Sequence, residues 1–258
     1  MKIFMDSPIK QRPGILRFLA ILFWIGLWQL GALAAANPLI LPSPVDTVLT
    51  LAGLLGQRAF YQSLFITLAR VFGGIVVSVI LGLVLGAVSG LNRTVYTFIF
   101  PFVTVVRTLP VVSISILLNL WLKSTLVPLA VTFLVCFPMV WTNVVEGIAT
   151  TDPKLLEMAS LYQVSFGKQF RHIYLPTLRP YITAGLISVI GMGWRSTVTS
   201  EVLANALPSV GMSLYYAKLY LETENLFAWT LMVIICSYAI EKLTVKVLKR
   251  QRAGIVHD

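Results

Sequence analysis

Long apolar runs separated by short polar segments make up most of the chain. Each run is near the 20 residues that an α-helix needs to cross a bilayer. They predict spans at about 15–36, 64–91, 94–122, 126–148, 181–201 and 226–248. Pro101 and Pro110 interrupt the third run, and Pro138 lies in the fourth. We therefore predict an all-α fold, a polytopic helical membrane protein with about six transmembrane helices in one domain over residues 1–258.

The first run also resembles a secretory signal peptide. Basic residues precede it, and Ala34, Ala35 and Ala36 follow as a small-residue cleavage signature. The apolar stretch 18–36 is long enough to span a bilayer, so we expect an uncleaved first helix. After it, Pro42 and Pro44 favour an extended segment, and a short interfacial helix is expected from Asp46, with Leu49, Ala52 and Leu55 on its apolar side.

Small residues recur every four positions along the second run. They are Gly74, Ser78, Gly82, Gly86 and Gly90, which fall along one face of a helix. Small side chains let a second helix approach closely, which is how membrane helices gain packing contact. We expect this face to pack inside the subunit, with a face against a second subunit as the alternative.

The composition agrees with a membrane location. Hydrophobic residues make up 57% of the chain and charged residues 12%, about half the usual share in soluble domains. The net charge of +10 does not indicate nucleic-acid binding, because the charges cluster at the ends of apolar runs. Cys136 and Cys236 lie within apolar runs and imply no disulfide framework. His172 and His257 show no metal-ligand spacing.

The basic residues are distributed unevenly between the two sides of the predicted topology. An even number of spans places both termini on one side, and the positive-inside rule assigns that side to the cytoplasm. Only Arg58, Lys123 and Lys218 fall on the other side. The basic residues on the predicted cytoplasmic side are Lys2, Lys10, Arg12, Arg17, Arg93, Lys154, Lys168, Arg171, Arg179, Lys242, Lys246, Lys249, Arg250 and Arg252.

The segment 150–179 is a polar break between the fourth and fifth spans. Asp152 and Pro153 are typical of an N-cap and first turn, so a short helix is expected from Lys154 to about Gln163. A second short helix is expected at about 166–174, ending before Pro176. The apolar residues of the first short helix, among them Leu155, Leu156 and Leu161, suit contact with a partner. An ordinary loop lying on the membrane surface is the alternative from the residues alone.

This segment resembles the EAA loop of permease subunits from binding-protein-dependent ATP-binding-cassette importers. The matching residues are Glu157, Met158 and Ala159, then Ile173, Leu175 and Pro176 at the spacing of the family. Gln163 stands where the family has a glycine, so the bend there is made by Gln163 or displaced to Gly167. Residues 41–44, 107–110, Trp194 and Glu201 are similar to the nitrate, sulfonate and taurine branch, which also includes carriers of pyrimidine precursors of thiamine.

The resemblance implies a type I importer permease in the bacterial cytoplasmic membrane. It implies three kinds of protein partner: a separate ATP-binding subunit, a periplasmic or lipid-anchored substrate-binding protein, and a second permease copy. The chain has no phosphate-binding G-x-x-x-x-G-K-[ST] loop, so no cofactor is expected on it and ATP is used by the partner. The alternative is a secondary transporter or channel working alone. An intramembrane enzyme would need a clustered catalytic pair, which the sequence does not provide.

Four charged residues lie within or at the ends of apolar runs. A charge at mid-bilayer costs about 2.5–3.5 kcal/mol on insertion scales, so each needs a partner or water. Arg107 and Arg195 are the candidates for a path that accepts an anionic or polar solute, and Glu201 joins them as a candidate path residue. The alternative is a structural pair between Arg195 and Glu201. Arg70 is expected to extend toward the outer surface.

Overall fold

The computed structural model describes residues 13–253, and its ordered elements are all helical. Twelve helical segments follow one another in that range. They are α1 Pro13–Ala35, α2 Pro44–Leu55, α3 Arg58–Leu91, α4 Arg93–Thr108, α5 Val111–Trp121, α6 Val127–Ala149, α7 Pro153–Leu161, α8 Phe166–Gln169, a π-helical turn Phe170–Tyr174, α9 Leu175–Ala204, α10 Val210–Leu219 and α11 Thr223–Ala253.

Five helices in the described range are long and apolar enough to cross a membrane, and a bent pair can supply a sixth crossing. The prediction of one broken third span is refined by this pair, because α4 and α5 meet at an angle of 106°. The break falls at Leu109, which is extended (φ −72°, ψ 130°). The ring of Pro110 disfavours helical geometry in the residue before it. Pro101, in contrast, lies inside α4 without breaking it.

The small residues of α3 pack against α6 within the same chain, as predicted. A Cβ atom added to Gly82 would lie 2.6 Å from Cβ of Val140, and one added to Gly86 would lie 2.9 Å from Cβ of Val144. Gly74 and Gly90 meet α6 equally closely. The residue numbers of facing positions on α3 and α6 differ by the same amount in each pair, so the two helices run parallel to each other. Two parallel neighbours require the intervening α4–α5 pair to carry the chain back across the bundle.

Helix α9 packs antiparallel on the other side of α6. Gly147 of α6 meets Leu178 and Tyr181 near the start of α9. A Cβ atom added to Gly193, further along α9, would lie 3.3 Å from Sγ of Cys136. The buried core joins α3, α6 and α9. Segment 150–179 therefore lies at the same end of the bundle as Arg93, and we call this the basic end.

The opposite end carries the short helices α2, α5 and α10. Ser43 caps α2 by accepting a hydrogen bond from the Asp46 N–H (3.1 Å), and Leu54 of α2 packs with Phe60 and Trp229. The short helix predicted from Asp46 is thus present as α2, with Leu49, Ala52 and Leu55 on its exposed side. Helix α5 also lies at this end, because Ile114 is buried against the first turns of α6 and the end of α9.

Several basic residues used to orient the chain lie outside the described residues or have side chains that the structure does not describe. Lys2, Lys10 and Arg12 precede residue 13, and His257 follows residue 253. The remaining group, whose side chains are not described, is Arg17, Lys249, Arg250 and Arg252.

Candidate functional site

Helix α7 begins as its sequence predicts. The Asp152 carboxylate accepts a hydrogen bond from the Lys154 N–H at 2.9 Å, and Pro153 occupies the first turn, where no backbone donor is needed. The helix is only nine residues long. An isolated helix of this length is marginal in water, so packing at its ends must hold it in place.

The end of α7 explains the unusual Gln163. This residue has φ 51°, the left-handed conformation that glycine adopts most easily. The Val164 N–H donates to the Ala159 carbonyl at 2.9 Å, and the Gln163 N–H donates to that of Ser160 at 3.0 Å. These two bonds form a Schellman motif, in which a left-handed residue ends the helix. The bend is therefore made at Gln163 itself and not at Gly167, which lies in α8.

An exposed apolar surface covers one side of α7 and the turn that follows it. We call it the loop patch. Leu161 is 83% exposed and Tyr162 is 78% exposed, and neither side chain is covered by the rest of the described chain. Glu157 is also exposed and borders Leu161 one turn away. The loop patch consists of Leu155, Met158, Leu161, Tyr162 and Phe166.

Ala159, the third residue of the matched triplet, lies on the inner side of α7. It is 4% exposed, whereas Glu157 and Met158 beside it are exposed. Its small side chain allows α7 to lie close to the bundle. Of the triplet, only Glu157 and Met158 therefore present side chains on the outer surface of the segment.

The second half of the segment differs from the sequence prediction. The prediction that the second short helix ends before Pro176 is wrong, because α8, the π-helical turn and α9 follow one another without a break. The Leu175 N–H donates to the Phe170 carbonyl, five residues back. Pro176 has no N–H to donate, and widening the turn that precedes it accommodates the missing bond. Ile173 and Leu175 are half-buried in this region, and Pro176 is exposed.

A buried ion pair lies at the opposite end of the bundle. Arg70 Nη1 of α3 lies 2.8 Å from Glu201 Oε1 of α9, and Glu201 is 0% exposed. Thr67 Oγ1 donates to the same carboxylate at 2.9 Å, and the Gly211 N–H of α10 donates at 3.1 Å. Arg70 also donates to the Pro208 carbonyl. Four elements therefore meet at one carboxylate: α3, α9, the connection 205–209 and α10.

This pairing overturns two expectations from the sequence. Arg70 does not extend toward the outer surface, because it is 8% exposed and bonded to Glu201. The expected structural pair between Arg195 and Glu201 is also wrong, because the ion-pair partner of Glu201 is Arg70. Polar residues three apart in the second run, Thr67 and Arg70, are the sequence signal for this network, although the sequence does not reveal their partner.

The other two intramembrane arginines have side chains on the surface of the chain. Arg107, near the end of α4, donates to Thr142 Oγ1 of α6 at 3.3 Å and is exposed. Arg195 is exposed on α9, and within the described residues it makes no ion pair. The structure thus separates the three candidate path residues, since Glu201 is fully buried and the two arginines are not.

Comparison with known proteins gives one family and several similar chains. Residues 74–248 match the family model described as binding-protein-dependent transport system inner membrane component. The chain is 27% identical over 257 residues to permease protein SsuC of Bacillus subtilis, assigned to aliphatic sulfonate transport, covering 95% of this chain and 91% of that protein. It is 25% identical over 230 residues to the taurine transport system permease protein TauC of Escherichia coli, covering 87% and 83%.

A solved structure has the same fold. It is the MetNI methionine ABC transporter in inward-facing conformations, with a TM-score of 0.64 and 13% sequence identity. The match covers 74% of this chain and 95% of the solved chain.

Proposed function

The chain belongs to the family of binding-protein-dependent transport system inner membrane components, and from that premise we propose that it is the permease subunit of an ATP-binding-cassette importer. It is a multi-pass protein of the inner membrane. We treat residues 1–258 as a single permease domain, which works with a second copy of itself. ATP is bound and hydrolysed by a separate subunit, and a substrate-binding protein delivers the solute.

The loop patch is the observation that carries this proposal. Five large apolar side chains stand in water-facing positions on a polar segment of a membrane protein. Leaving them exposed forgoes about 25 cal/mol of stabilisation for each Å² of apolar surface, which favours burial against a partner. A short helix held by an N-cap and a Schellman motif presents them rigidly. The proposed occupant is a groove on the ATPase subunit.

The basic end of the bundle is proposed to face the cytoplasm. Arg93, Lys154, Lys168, Arg171 and Arg179 gather there, and basic residues mark the cytoplasmic side of inner-membrane proteins. With this orientation the loop patch lies on the side that contains ATP, and both termini are cytoplasmic. The short helices α2 and α10 then face outward, where a binding protein would dock.

The mechanism proposed for this permease is conformational. The continuous helix from α8 through α9 joins the cytoplasmic segment directly to a membrane span. Movement of a docked ATPase would therefore be transmitted to α9 through a rigid rod and not through a flexible loop. Glu157, beside the patch, would pair with a basic group of the ATPase. Ile173, Leu175 and Pro176 would set the direction in which the rod leaves the cytoplasmic segment.

The test is the variant Leu161→Asp in a reconstituted transporter. The protein would be co-expressed with the ATPase and binding protein from neighbouring genes and placed in proteoliposomes. A carboxylate in the centre of the docked surface should lower ATPase co-purification and ATP-driven uptake by about tenfold or more, because burying an unpaired charge costs several kcal/mol. The permease itself should still insert and purify as a monodisperse protein.

The matched control is Leu219→Asp. Leu219 is also a large exposed apolar side chain at a helix end, but it lies on α10 at the opposite end of the bundle. Retained ATPase binding by Leu219→Asp together with its loss in Leu161→Asp supports docking at the loop patch. Normal ATP-driven uptake by Leu161→Asp would exclude the loop patch as the coupling surface.

A further inference from the structure

We infer that Thr67 and Glu201 fasten helix α10 to the end of α9, so that docking of the substrate-binding protein at α10 is passed along α9 to the ATPase. The inference rests on the importer function proposed above. It adds to that function two positioning residues and the route by which the docking signal crosses the membrane.

The start of α10 is bonded directly to the last turn of α9. The Gly211 N–H donates to Glu201 Oε2 at 3.1 Å, and Thr67 Oγ1 donates to Oε1 of the same carboxylate at 2.9 Å. The Thr67 hydroxyl also accepts a hydrogen bond from the Val210 N–H at 3.0 Å. The first N–H groups of a helix have no partner within it and carry partial positive charge. Here two of them end on one carboxylate, one directly and one through a hydroxyl.

The two helices also meet without space between them. A Cβ atom added to Gly211 would lie 2.6 Å from Cβ of Glu201 and 2.7 Å from a backbone carbonyl oxygen of α9. The connection 205–209 is held as well, because Arg70 Nη1 donates to the Pro208 carbonyl at 3.3 Å. Helix α10 therefore cannot tilt or slide against α9 unless these bonds break.

The burial of this link makes it durable. The side chains of Thr67 and Glu201 are both 0% exposed. Water does not compete for these hydrogen bonds, and a buried donor or acceptor that loses its partner is costly. We therefore expect the end of α9 and the start of α10 to remain joined while the rest of the bundle changes its conformation.

The far side of α10 is open to a partner. Tyr215, Leu219 and Tyr220 are exposed on the described chain. The Ser209 hydroxyl caps the first turn, and a Schellman motif with Leu221 at φ 58° ends the helix. The same motif ends α7. A short helix fixed at both ends can pass on the displacement produced by a docked protein without bending.

Helix α9 lies between the two surfaces that are proposed to bind partners. The continuous helix that leads into α9 begins at Phe166, within the loop patch, and α10 follows the last turn of α9. With 30 residues at 1.5 Å each, α9 is about 45 Å long, which is enough to cross the membrane. A displacement of α10 by the binding protein would therefore reach the loop patch as the movement of one rod.

Thr67→Val tests the link with little change in shape. It removes the hydroxyl that joins Val210 to Glu201 and leaves the Arg70 ion pair and the Gly211 N–H bond in place. The complex with its ATPase would be placed in proteoliposomes, and ATP hydrolysis would be measured with and without the cognate binding protein, purified with the solute that it retains. Stimulation by the binding protein should fall by about tenfold, the equivalent of one hydrogen bond to a charged group. Hydrolysis without the binding protein should keep its wild-type rate, which a general loss of folding would lower.

Two variants control for chemistry and for burial. Thr67→Ser keeps the hydroxyl and should keep the stimulation. Thr132→Val makes the same substitution at another threonine that is 0% exposed, whose hydroxyl is hydrogen-bonded to Thr197 and so joins α6 to α9. It should also keep the stimulation. A loss of stimulation in either variant would contradict the inference, because the effect would then not depend on the hydroxyl that holds α10.

The outcomes separate this inference from the importer proposal. A wild-type complex that binds no ATPase, or whose ATPase is not stimulated by the binding protein, refutes the importer function. A wild-type complex that is stimulated, together with a Thr67→Val complex stimulated to the same degree, refutes the link alone. If Thr67→Val fails to assemble, hydrogen exchange in the wild-type complex decides. The Val210 and Gly211 amides should stay protected with and without ATP, and fast exchange of either amide in one of the two states overturns the inference.

Discussion

The buried carboxylate of Glu201 should hold the outer half of the bundle together. The perturbation is Glu201→Gln, which keeps the shape of the side chain but removes its charge. The Arg70 guanidinium would then remain buried, at 8% exposure, with an amide oxygen and backbone carbonyls as its acceptors. Arg70→Met is the complementary change and leaves the Glu201 carboxylate with the Thr67 hydroxyl and the Gly211 N–H as donors.

The magnitude follows from the near-complete burial of both groups. Solvent screening is small at these exposures, so removing one partner of the pair is expected to cost about 3–5 kcal/mol. A native domain is stable by only about 5–15 kcal/mol, so each single variant should lose a large share of its stability. For a chain of this size the fall in Tm should be roughly 6–20 °C. The double variant should recover part of the loss, because it leaves no buried charge unpaired.

The assay is thermal unfolding of the purified permease in detergent, followed by tryptophan fluorescence. A full double-mutant cycle isolates the coupling between the two side chains. Glu241→Gln is the matched control, because Glu241 is an exposed carboxylate on α11, and its Tm should stay within about 2 °C of the wild type. Single variants at Arg70 and Glu201 with the Tm of the control would refute a structural role for the pair.

Two further changes test the local geometry. Gln163→Gly should stabilise the segment by about 1 kcal/mol, since glycine adopts φ 51° without the penalty of a side chain. Slower amide hydrogen exchange at Val164 would show this gain, and faster exchange would contradict the Schellman motif. Gly82→Val should prevent α3 from packing on α6, because an added Cβ already lies 2.6 Å from Val140, and should cost about 1–3 kcal/mol or more. Gly26→Val on α1, where nothing lies within 4 Å of the added Cβ, should leave Tm unchanged, and equal Tm values for the two variants would refute the tight α3–α6 contact.

The spans were predictable because long apolar runs admit few other structures in a membrane protein. The break at Pro110 was also visible, since a proline restricts the residue before it. The sequence did not reveal that the helix continues through Pro176, because a π-helical turn absorbs the missing hydrogen bond by widening the backbone locally. Such a turn leaves no residue pattern in the chain.

The pairing of charges was not predictable for a different reason. Arg195 lies closer than Arg70 to Glu201 in the sequence, and this proximity along one helix favours Arg195 as the predicted partner of Glu201. The choice depends on the register between α3 and α9, which brings Thr67, Arg70 and the N–H of Gly211 to one point. Register between distant helices is set by packing, as in the contact of Gly193 with Ile75, and not by the local sequence. Gln163 was identified as the unusual position of its segment, and only the structure showed that it adopts the glycine conformation itself.

The coupling role of the loop patch is tested most directly by site-specific photo-cross-linking in the assembled transporter. A photoreactive amino acid at Leu161 would be compared with the same group at Tyr220, which is also an exposed position and lies at the opposite end of the bundle. We predict that Leu161 captures the ATPase subunit and that Tyr220 does not, with a yield at Leu161 that changes when ATP is added. Capture of the ATPase at Tyr220 and not at Leu161 would contradict both the docking surface and the orientation proposed for the chain.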